Sequence, residues 1–405
     1  MNTKKDSNSA SFFGLGIAPK ILETLEKIHF REPTPIQFKA IPLAIEGKDV
    51  IGIAQTGTGK THAFAIPMVQ RLVQRSGVGL VLAPTRELAI QIDDAVKGIA
   101  GVFGIKTACL IGGAPMLAQT QALRKDPRIV IATPGRLIDH MGQWNFLPNN
   151  VSMLVLDEAD RMLDMGFEPQ ITKILKFLPK DRQTMLFSAT MPKEIMAIAA
   201  KYMKLPVSVE IAPSGTTAEH VTQELFIIKK EAKLKLLGKV LAQYHGSVLL
   251  FSRTKHNARK IMIAIRNMGY TSAEMHSNRS LSQRREALDG FKSGRYKVLV
   301  ATDIAARGID VTGIELVINY DLPEDAENYV HRIGRTARAG SRGHAISFAT
   351  PDQRSDVKDI ERIIKSTLPL SKHPDITLEG FSEPGYETAR INHKRYQNQR
   401  RYKHF

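Results

Sequence analysis

The sequence predicts an α/β protein built twice over: two domains, each an open, doubly wound sheet of parallel strands with helices on both faces. Three observations predict it. Short apolar runs rich in Val, Ile and Leu recur along the chain, and continuous runs of this kind suit parallel strands buried on both faces. Amphipathic stretches of helical length separate them, as parallel crossovers require. The alternation pauses once, at 211–217, which reads Ile-Ala-Pro-Ser-Gly-Thr-Thr, and then restarts. A length of 405 residues agrees with two domains of ~100–200 residues each.

In the first half, strands are predicted at 50–54, 80–83, 107–111, 129–133, 153–156 and 184–187. Between them, 61–75 and 87–100 read as crossover helices. The Pro, Gly and small polar residues of 211–217 read as a linker. In the second half, strands are predicted at 224–228, 247–251, 298–301, 317–319 and 345–349, with helices such as 233–243 and 255–267. The organisation expected is a flank at 1–38, a first domain at 39–210, a second at 218–380 and a basic tail at 381–405. The stretch 390–405 holds six Lys or Arg, no acid, and Tyr396 and Tyr402. It has too few aliphatic residues to bury a core, so disorder is expected. It reads either as a solubilising tail or as an arm offering cations to phosphates and rings to bases.

Composition narrows the function. Hydrophobic residues make up 43% and charged residues 24%, a globular balance. No apolar run reaches the ~18 residues of a membrane helix. The polar stretch 1–10 lacks the apolar core of a secretory signal. Cys109 is the only cysteine, which excludes an intramolecular disulfide and a cysteine-based zinc site and suits a reducing cytoplasm. Basic residues outnumber acidic ones 57 to 40, a net charge of +17. A polyanion, most simply nucleic acid, is the partner this suggests; a basic surface that binds nothing is the alternative.

Chemistry concentrates after the predicted strand 50–54. Ala54-Gln55-Thr56-Gly57-Thr58-Gly59-Lys60-Thr61 opens a helix. Glycines let the backbone turn tightly and aim N–H groups at phosphate oxygens, and the helix N-terminus adds positive potential. Lys60 would reach the β- and γ-phosphates and Thr61 would ligate Mg²⁺. Ala54 stands where the strict P-loop pattern has Gly. The strand 153–156 then ends in Asp157-Glu158-Ala159-Asp160. Acids at the C-terminal end of a parallel strand fall beside the P-loop. Asp157 would hold the metal, directly or through water, and Glu158 would orient or deprotonate an attacking water.

Asp-Glu-Ala-Asp resembles the signature of the DEAD-box RNA helicases, and the resemblance extends along nearly the whole chain. Pro33-Thr34-Pro35-Ile36-Gln37, with Phe30 just before it and an isolated aromatic at Phe12, resembles the Q motif. The resemblance implies that Gln37 reads adenine and Phe30 stacks on it. Pro84-Thr85-Arg86-Glu87-Leu88, Gly112-Gly113 and Thr133-Pro134-Gly135-Arg136 resemble the segments that contact the RNA backbone. Ser188-Ala189-Thr190 resembles the motif that couples the ATP and RNA sites.

In the second half, Arg253 lies in a stretch similar to motif IV. Ala301-Thr302-Asp303 and Arg307-Gly308-Ile309-Asp310 are similar to motif V, with Thr302 expected at RNA and Asp310 at the ribose. His331-Arg332-Ile333-Gly334-Arg335-Thr336-Ala337-Arg338 is similar to motif VI. There Arg335 and Arg338 resemble arginine fingers, which stabilise charge on a transferred phosphoryl group, and His331 is expected to take part in coupling. After His276, Ser277 stands where the family has Gly and Leu281 where it has Gln; Arg284 is retained. The compact core and short basic tail look most like the bacterial RhlE-type members.

The implied fold is two tandem RecA-like domains, and the implied cofactors are ATP and Mg²⁺. The implied activity is RNA-stimulated ATP hydrolysis that unwinds short RNA duplexes, by a cytoplasmic protein that acts as a monomer away from membranes. An ATP-gated RNA clamp that unwinds little and a DNA helicase are the competing readings.

Overall fold

The computed structural model describes residues 11–55, 57–211, 221–306, 311, 313–336, 343–373, 377 and 379–381. Its internal contacts divide the chain into two bodies, the first built mainly of residues up to Ser214 and the second mainly of residues from Gly215 onward.

Among the described residues the first body holds seven strands: β1 (Val50–Ile53), β2 (Val78–Leu82), β3 (Thr107–Leu110), β4 (Ile129–Ala132), β5 (Val151–Leu156), β6 (Gln183–Ser188) and β7 (Val207–Glu210). They lie in the order β3-β4-β2-β5-β6-β1-β7, and every neighbouring pair is parallel. Alternate residues of one strand enter different cores. In β2, Val81 packs into one core, while Leu80 and Leu82 pack into the other. With both faces covered, each position must be apolar, which is why the runs read as continuous rather than alternating. The residues assigned to the flank belong to the same core. Phe12, Leu15, Ile17, Ile21 and Leu25 are buried in it, and the boundary at 38 falls inside the helix Pro35–Glu46.

The second body holds β8 (Val221–Ile227), β9 (Ser247–Phe251), β10 (Ser272–Met275), β11 (Val298–Ala301), β12 (Ile314–Asn319) and β13 (Gly343–Ala349). Their order is β10-β11-β9-β12-β13-β8, again parallel throughout.

Two strands escape the sequence pattern. β7, Val-Ser-Val-Glu, is a short edge strand with only Val209 buried. β10, Ser-Ala-Glu-Met, is fully buried but reads as polar. Its Glu274 sits between His276 Nε2 at 3.1 Å and Arg279 Nη2 at 2.6 Å, and the Ser272 hydroxyl donates to the Met262 carbonyl at 3.1 Å. Partners of this kind are what permit polar groups in a core. The strand predicted to run to 111 ends at Leu110, because Ile111 exchanges both backbone bonds with the Gln119 side chain, each at 3.1 Å. In the 211–217 segment, the Ile211 N–H still bonds the Ile53 carbonyl at 3.0 Å; the remainder lies outside the described residues. The tail from 382 onward also lies outside them.

Candidate active site

In the first body the strand order places β5, β6 and β1 side by side, so their C-terminal ends form one rim. The Ala54 N–H bonds the Ser188 carbonyl at 3.0 Å, and the Asp157 N–H bonds the Leu82 carbonyl at 3.0 Å, extending the ladders up to the loops that carry the candidate residues. Gly57 (φ 86°) and Gly59 (φ 88°) adopt the left-handed turn that launches the helix Lys60–Gln74, a conformation that favours glycine. The loop is tied from inside: Lys60 Nζ donates to the Ala54 carbonyl at 2.8 Å, and the Thr58 hydroxyl donates to the Gln55 carbonyl at 2.7 Å. Thr61 is half-buried at the start of the helix.

Gln37 is buried beneath this loop. Its Oε1 accepts from the Thr34 N–H at 2.9 Å and its Nε2 donates to the Gly59 carbonyl at 2.9 Å. One donor and one lone pair of its amide are thereby used within the protein, leaving one of each. A side chain at position 59 would collide with that Nε2. The Phe30 ring packs on His62, with centroids 4.2 Å apart at 38°. Burial holds the His62 imidazole below its usual pKa, so the ring is neutral.

Asp157 and Glu158 are both buried at the end of β5. Burial pushes the Asp157 carboxyl up to about 7; Lys60 opposes that rise and Glu158 adds to it. Its Oδ1 accepts from the Glu158 N–H at 3.0 Å. Glu158 has φ 49°, unusual for a residue with a side chain, and pairs with Arg161. Strain of this kind concentrates at functional turns.

Asp160 is the fastening that sequence reasoning named only as part of its motif. Its Oδ2 accepts from the Ala189 N–H at 3.0 Å, the Thr190 N–H at 2.8 Å and the Thr190 hydroxyl at 3.0 Å. Its own N–H bonds the buried Ser188 hydroxyl at 3.1 Å. The acids after β5 and the Ser-Ala-Thr after β6 are thus one hydrogen-bonded unit.

A second rim lies at the ends of β2, β4 and β3. Thr85 caps the helix Arg86–Ala100, accepting the Leu88 N–H at 3.2 Å, and is almost fully buried. The Arg86 guanidinium lies over Gly112 and Gly113, where any Cβ would meet it, and Gly113 has φ 77°. Arg136 Nη1 donates to the Ala114 carbonyl at 3.0 Å. The loop is braced by Gln119, whose Oε1 lies 3.3 Å from His140 Nε2 and whose Nε2 bonds the Ala114 carbonyl at 3.2 Å. Since that oxygen only accepts, His140 donates, and burial lowers its pKa and keeps the ring neutral. Gln119 and His140 carried no motif signal. Pro84, Thr133 and Gly135 complete this rim, with Thr133 buried and Gly135 half-buried.

The second body has its own rim at the ends of β11, β9 and β12. Asp321 accepts from the Ser252 hydroxyl at 3.1 Å, the Arg253 N–H at 3.1 Å and Asn257 Nδ2 at 3.0 Å, with Lys233 Nζ at 3.2 Å. Burial pushes its pKa up, but Lys233 and these donors outweigh burial and hold it below the usual range. Arg253 is exposed at the rim, and Thr302 starts the helix Asp303–Ala306. Arg332, also unassigned by sequence, is the centre of this region. Its Nε and Nη2 fork onto Asp303 at 2.6 and 2.7 Å, Nη1 reaches Asn319 Oδ1 at 3.1 Å and the Asp321 carbonyl at 2.7 Å, and its guanidinium lies 4.9 Å from the Phe251 centroid. His331 is half-buried on the helix Glu327–Ile333 and Arg335 is buried just past its end. Thr56, Asp310 and Arg338 lie outside the described residues.

The DEAD/DEAH box helicase family model matches residues 34–198, and the helicase conserved C-terminal domain matches residues 232–340. The chain is 42% identical over 368 residues to the ATP-dependent rRNA helicase RRP3 of Candida albicans, covering 90% of this chain and 69% of that protein. The chain belongs to the DEAD-box ATP-dependent RNA helicases.

Another relative of this helicase is the DEAD-box ATP-dependent RNA helicase CshA of Geobacillus kaustophilus, 42% identical over 375 residues and covering 91% of this chain and 80% of that one. Both relatives bear names other than RhlE, the subgroup that the short tail suggests. Among solved structures, S. cerevisiae Dbp5 bound to RNA and ADP BeF3 is similar to the helicase with a TM-score of 0.79 at 30% identity, covering 89% of this chain and 95% of that one. Mss116 bound to ssRNA and UDP-BeF is similar with a TM-score of 0.81 at 28% identity, covering 92% and 79%. No helix among the described residues of the helicase is long and apolar enough to cross a membrane.

Proposed function

We propose that this helicase binds ATP on the P-loop of its first domain, and that closure of the second domain over nucleotide and RNA completes the catalytic site. What supports the reading is the contiguity of Lys60, Asp157, Glu158 and the Asp160-bound Ser188–Thr190 segment along the ends of β1, β5 and β6. Gly57, Thr58, Gly59 and Lys60 cradle the phosphates together with Thr56. Gln37 offers its remaining donor and lone pair to adenine, and Phe30 stacks on the base. Asp310 takes the ribose.

The Thr61 hydroxyl and Asp157 carboxylate are hard oxygen donors that fit Mg²⁺, and the burial that pushes Asp157 toward neutrality is what a divalent cation would offset. Bound there, Mg²⁺ supplies charge neutralisation at the phosphates. Glu158 orients the attacking water and takes its proton as the water oxygen bonds the γ-phosphorus. The bond from that phosphorus to the β–γ bridging oxygen breaks, and ADP leaves. Arg335 and Arg338 stabilise the charge on the transferred group.

Pro84, Thr85, Arg86, Gly113, Thr133, Gly135 and Arg136 on the first domain, with Arg253 and Thr302 on the second, hold the RNA backbone. Thr85 and Thr133 have little exposed side chain; their part is to start helices whose N–H groups face phosphates. Ser188, Thr190 and His331 couple the two sites. The first domain proposed takes in the flank from Phe12, whose side chains share its core, and runs to 210, followed by a linker at 211–217 and a second domain at 218–380. One chain carries every group the mechanism uses, so a monomer suffices, and a single cysteine suits the cytoplasm.

The test is Glu158→Gln, which keeps shape but removes the base. RNA-stimulated turnover should fall at least ~100-fold while ATP and RNA binding persist. Turnover near the wild-type rate would overturn the assignment.

A further inference from the structure

The first body has a cavity of about 610 Å³ at the opposite end of its sheet from the P-loop. It is built around the N-terminal ends of β1, β5, β6 and β7, represented in its wall by Asp49, Met153, Gln183 and Val207. Because the strands are parallel, none of the site residues described above lines it. The volume falls within the ~300–1,000 Å³ of small-molecule sites.

Its wall is basic. Lys48, Arg71, Arg75, Arg182 and Lys204 line it, against two carboxylates, Asp49 and Asp181. Neither carboxylate lies within ion-pair distance of an arginine, although Asp49 acts on Arg182 from farther away and opposes the lowering of its pKa. Asp49 is buried, with one oxygen accepting the Thr184 N–H at 2.7 Å and the other the Lys204 N–H at 2.7 Å. Asp181 pairs with Lys204 Nζ at 3.0 Å, and Lys48 pairs with Glu46 at 2.7 Å.

Two of the three arginines, Arg71 and Arg182, are positioned without being paired. Arg71 Nη1 donates to the Ile45 carbonyl at 3.0 Å. Arg182 Nη1 donates to the Pro179 carbonyl at 2.6 Å and Nη2 to the Tyr202 carbonyl at 3.3 Å. The buried Nε of each has no partner, and Arg75 reaches no carboxylate within ion-pair distance among the described residues. Backbone carbonyls orient such cations but carry no net charge to balance them. Burial, and for Arg71 also Arg75 beside it, lowers the pKa of the Arg71 and Arg182 guanidinium groups. An anion in the cavity would relieve that.

We propose that this cavity is a second anion site of the helicase, separate from the P-loop, that takes a small ligand carrying two or more phosphate groups. Two guanidinium groups held in one concave wall, Arg71 and Arg182, with the exposed Arg75 beside them, match the forked recognition that phosphate oxygens invite. A concave volume of about 610 Å³ matches a small molecule rather than a nucleic-acid strand.

The probe is tripolyphosphate without divalent cation, titrated calorimetrically into the full chain. Two sites are expected, one at the P-loop and one at the cavity. Arg75→Glu alters an exposed side chain remote from the active site, so RNA-stimulated ATPase is expected to persist. It should weaken one of the two sites roughly tenfold or more, and Arg75→Gln should weaken the same site in the same direction and decides the matter if the Glu variant fails to fold. Lys60→Ala should weaken the other site. Lys173→Glu, an equal charge change on the exposed face of the helix Glu168–Phe177, should leave both within twofold. A single site in the wild type would overturn the proposal. So would an unchanged second site in both Arg75 variants, or equal weakening by Lys173→Glu, which would mean diffuse electrostatics.

Discussion

Asp160→Ala cuts the fastening between the β5 acids and the Ser-Ala-Thr segment. The carboxylate accepts four donors: Oδ2 takes two backbone N–H groups and the Thr190 hydroxyl, and Oδ1 takes the Arg161 N–H at 2.9 Å. Hydrogen bonds to a charged group contribute ~1.5–3 kcal/mol each, so simple addition would give roughly 6–12 kcal/mol. That sum overshoots, because Thr190 is exposed and Ala189 half-buried, and water replaces much of what they lose. The buried Arg161 N–H and the partly covered Ala189 N–H remain, at ~1–3 kcal/mol each for a stranded donor. A net loss of about 2–4 kcal/mol follows. For a domain of this size that lowers the melting temperature by roughly 5–15 °C. Asp160→Asn keeps an acceptor oxygen and should lose about half as much. The assay is scanning calorimetry, with fluorescence of Trp144, the chain's only tryptophan, assigning the transition to the first body. RNA-stimulated ATPase should fall in both variants at temperatures where they remain folded, with ATP binding retained. Melting of Asp160→Ala within 1 °C of wild type would refute the reasoning.

Arg332→Lys should destabilise the second body by about 3–5 kcal/mol, since an ammonium cannot span Asp303, Asn319 and the Asp321 carbonyl together and leaves a buried charge poorly paired; calorimetry reads it, and a wild-type melt counts against the network. Gln37→Leu should weaken ATP binding about 5- to 150-fold, because the donor and lone pair offered to adenine are removed and the base edge is left unpaired at ~1–3 kcal/mol; nucleotide titration checks this, and an unchanged affinity would show that the amide is dispensable. Burial pushes the Cys109 thiol up to about 12, with Asp93 adding to the rise. At pH 8 its thiolate fraction is about 10⁻⁴, so iodoacetamide should label the native chain far more slowly than the urea-unfolded chain. The raised pKa also fixes the sign for stability: the Cys109 contribution is complete below pH 9.0, the ordinary thiol value, and is lost as pH rises toward about 12. Equal labelling rates would contradict the burial argument.

Much of the candidate site was legible because its residue types are clustered locally. Residues 54–61 carry the glycines, the lysine and the hydroxyl within one turn, and 157–160 carry the acids at one strand end. The strands were legible because a parallel sheet covered on both faces demands unbroken apolar runs, as in Val151–Leu156. β10 was not, because its polarity is neutralised by His276 and Arg279, and no pattern within four residues announces partners beyond them.

Tertiary structure alone decided what each polar side chain does. Asp160 looked like one more acid in a run of three, and Thr190 like one residue of a tripeptide 30 positions away; only the adjacency of β5 and β6 joins them. Thr85 read as a group for RNA, yet its hydroxyl caps a helix. Gln37 read as an adenine reader, yet half of its amide holds Gly59 and Thr34. Arg332 stood unremarked among the arginines of its motif until the strand order brought Asp303, Asn319 and Phe251 around it. The physical reason is common to all four. Residue type and spacing determine which groups a chain can offer, while hydrogen-bond partners are set by which strand ends and loops the sheet order makes neighbours.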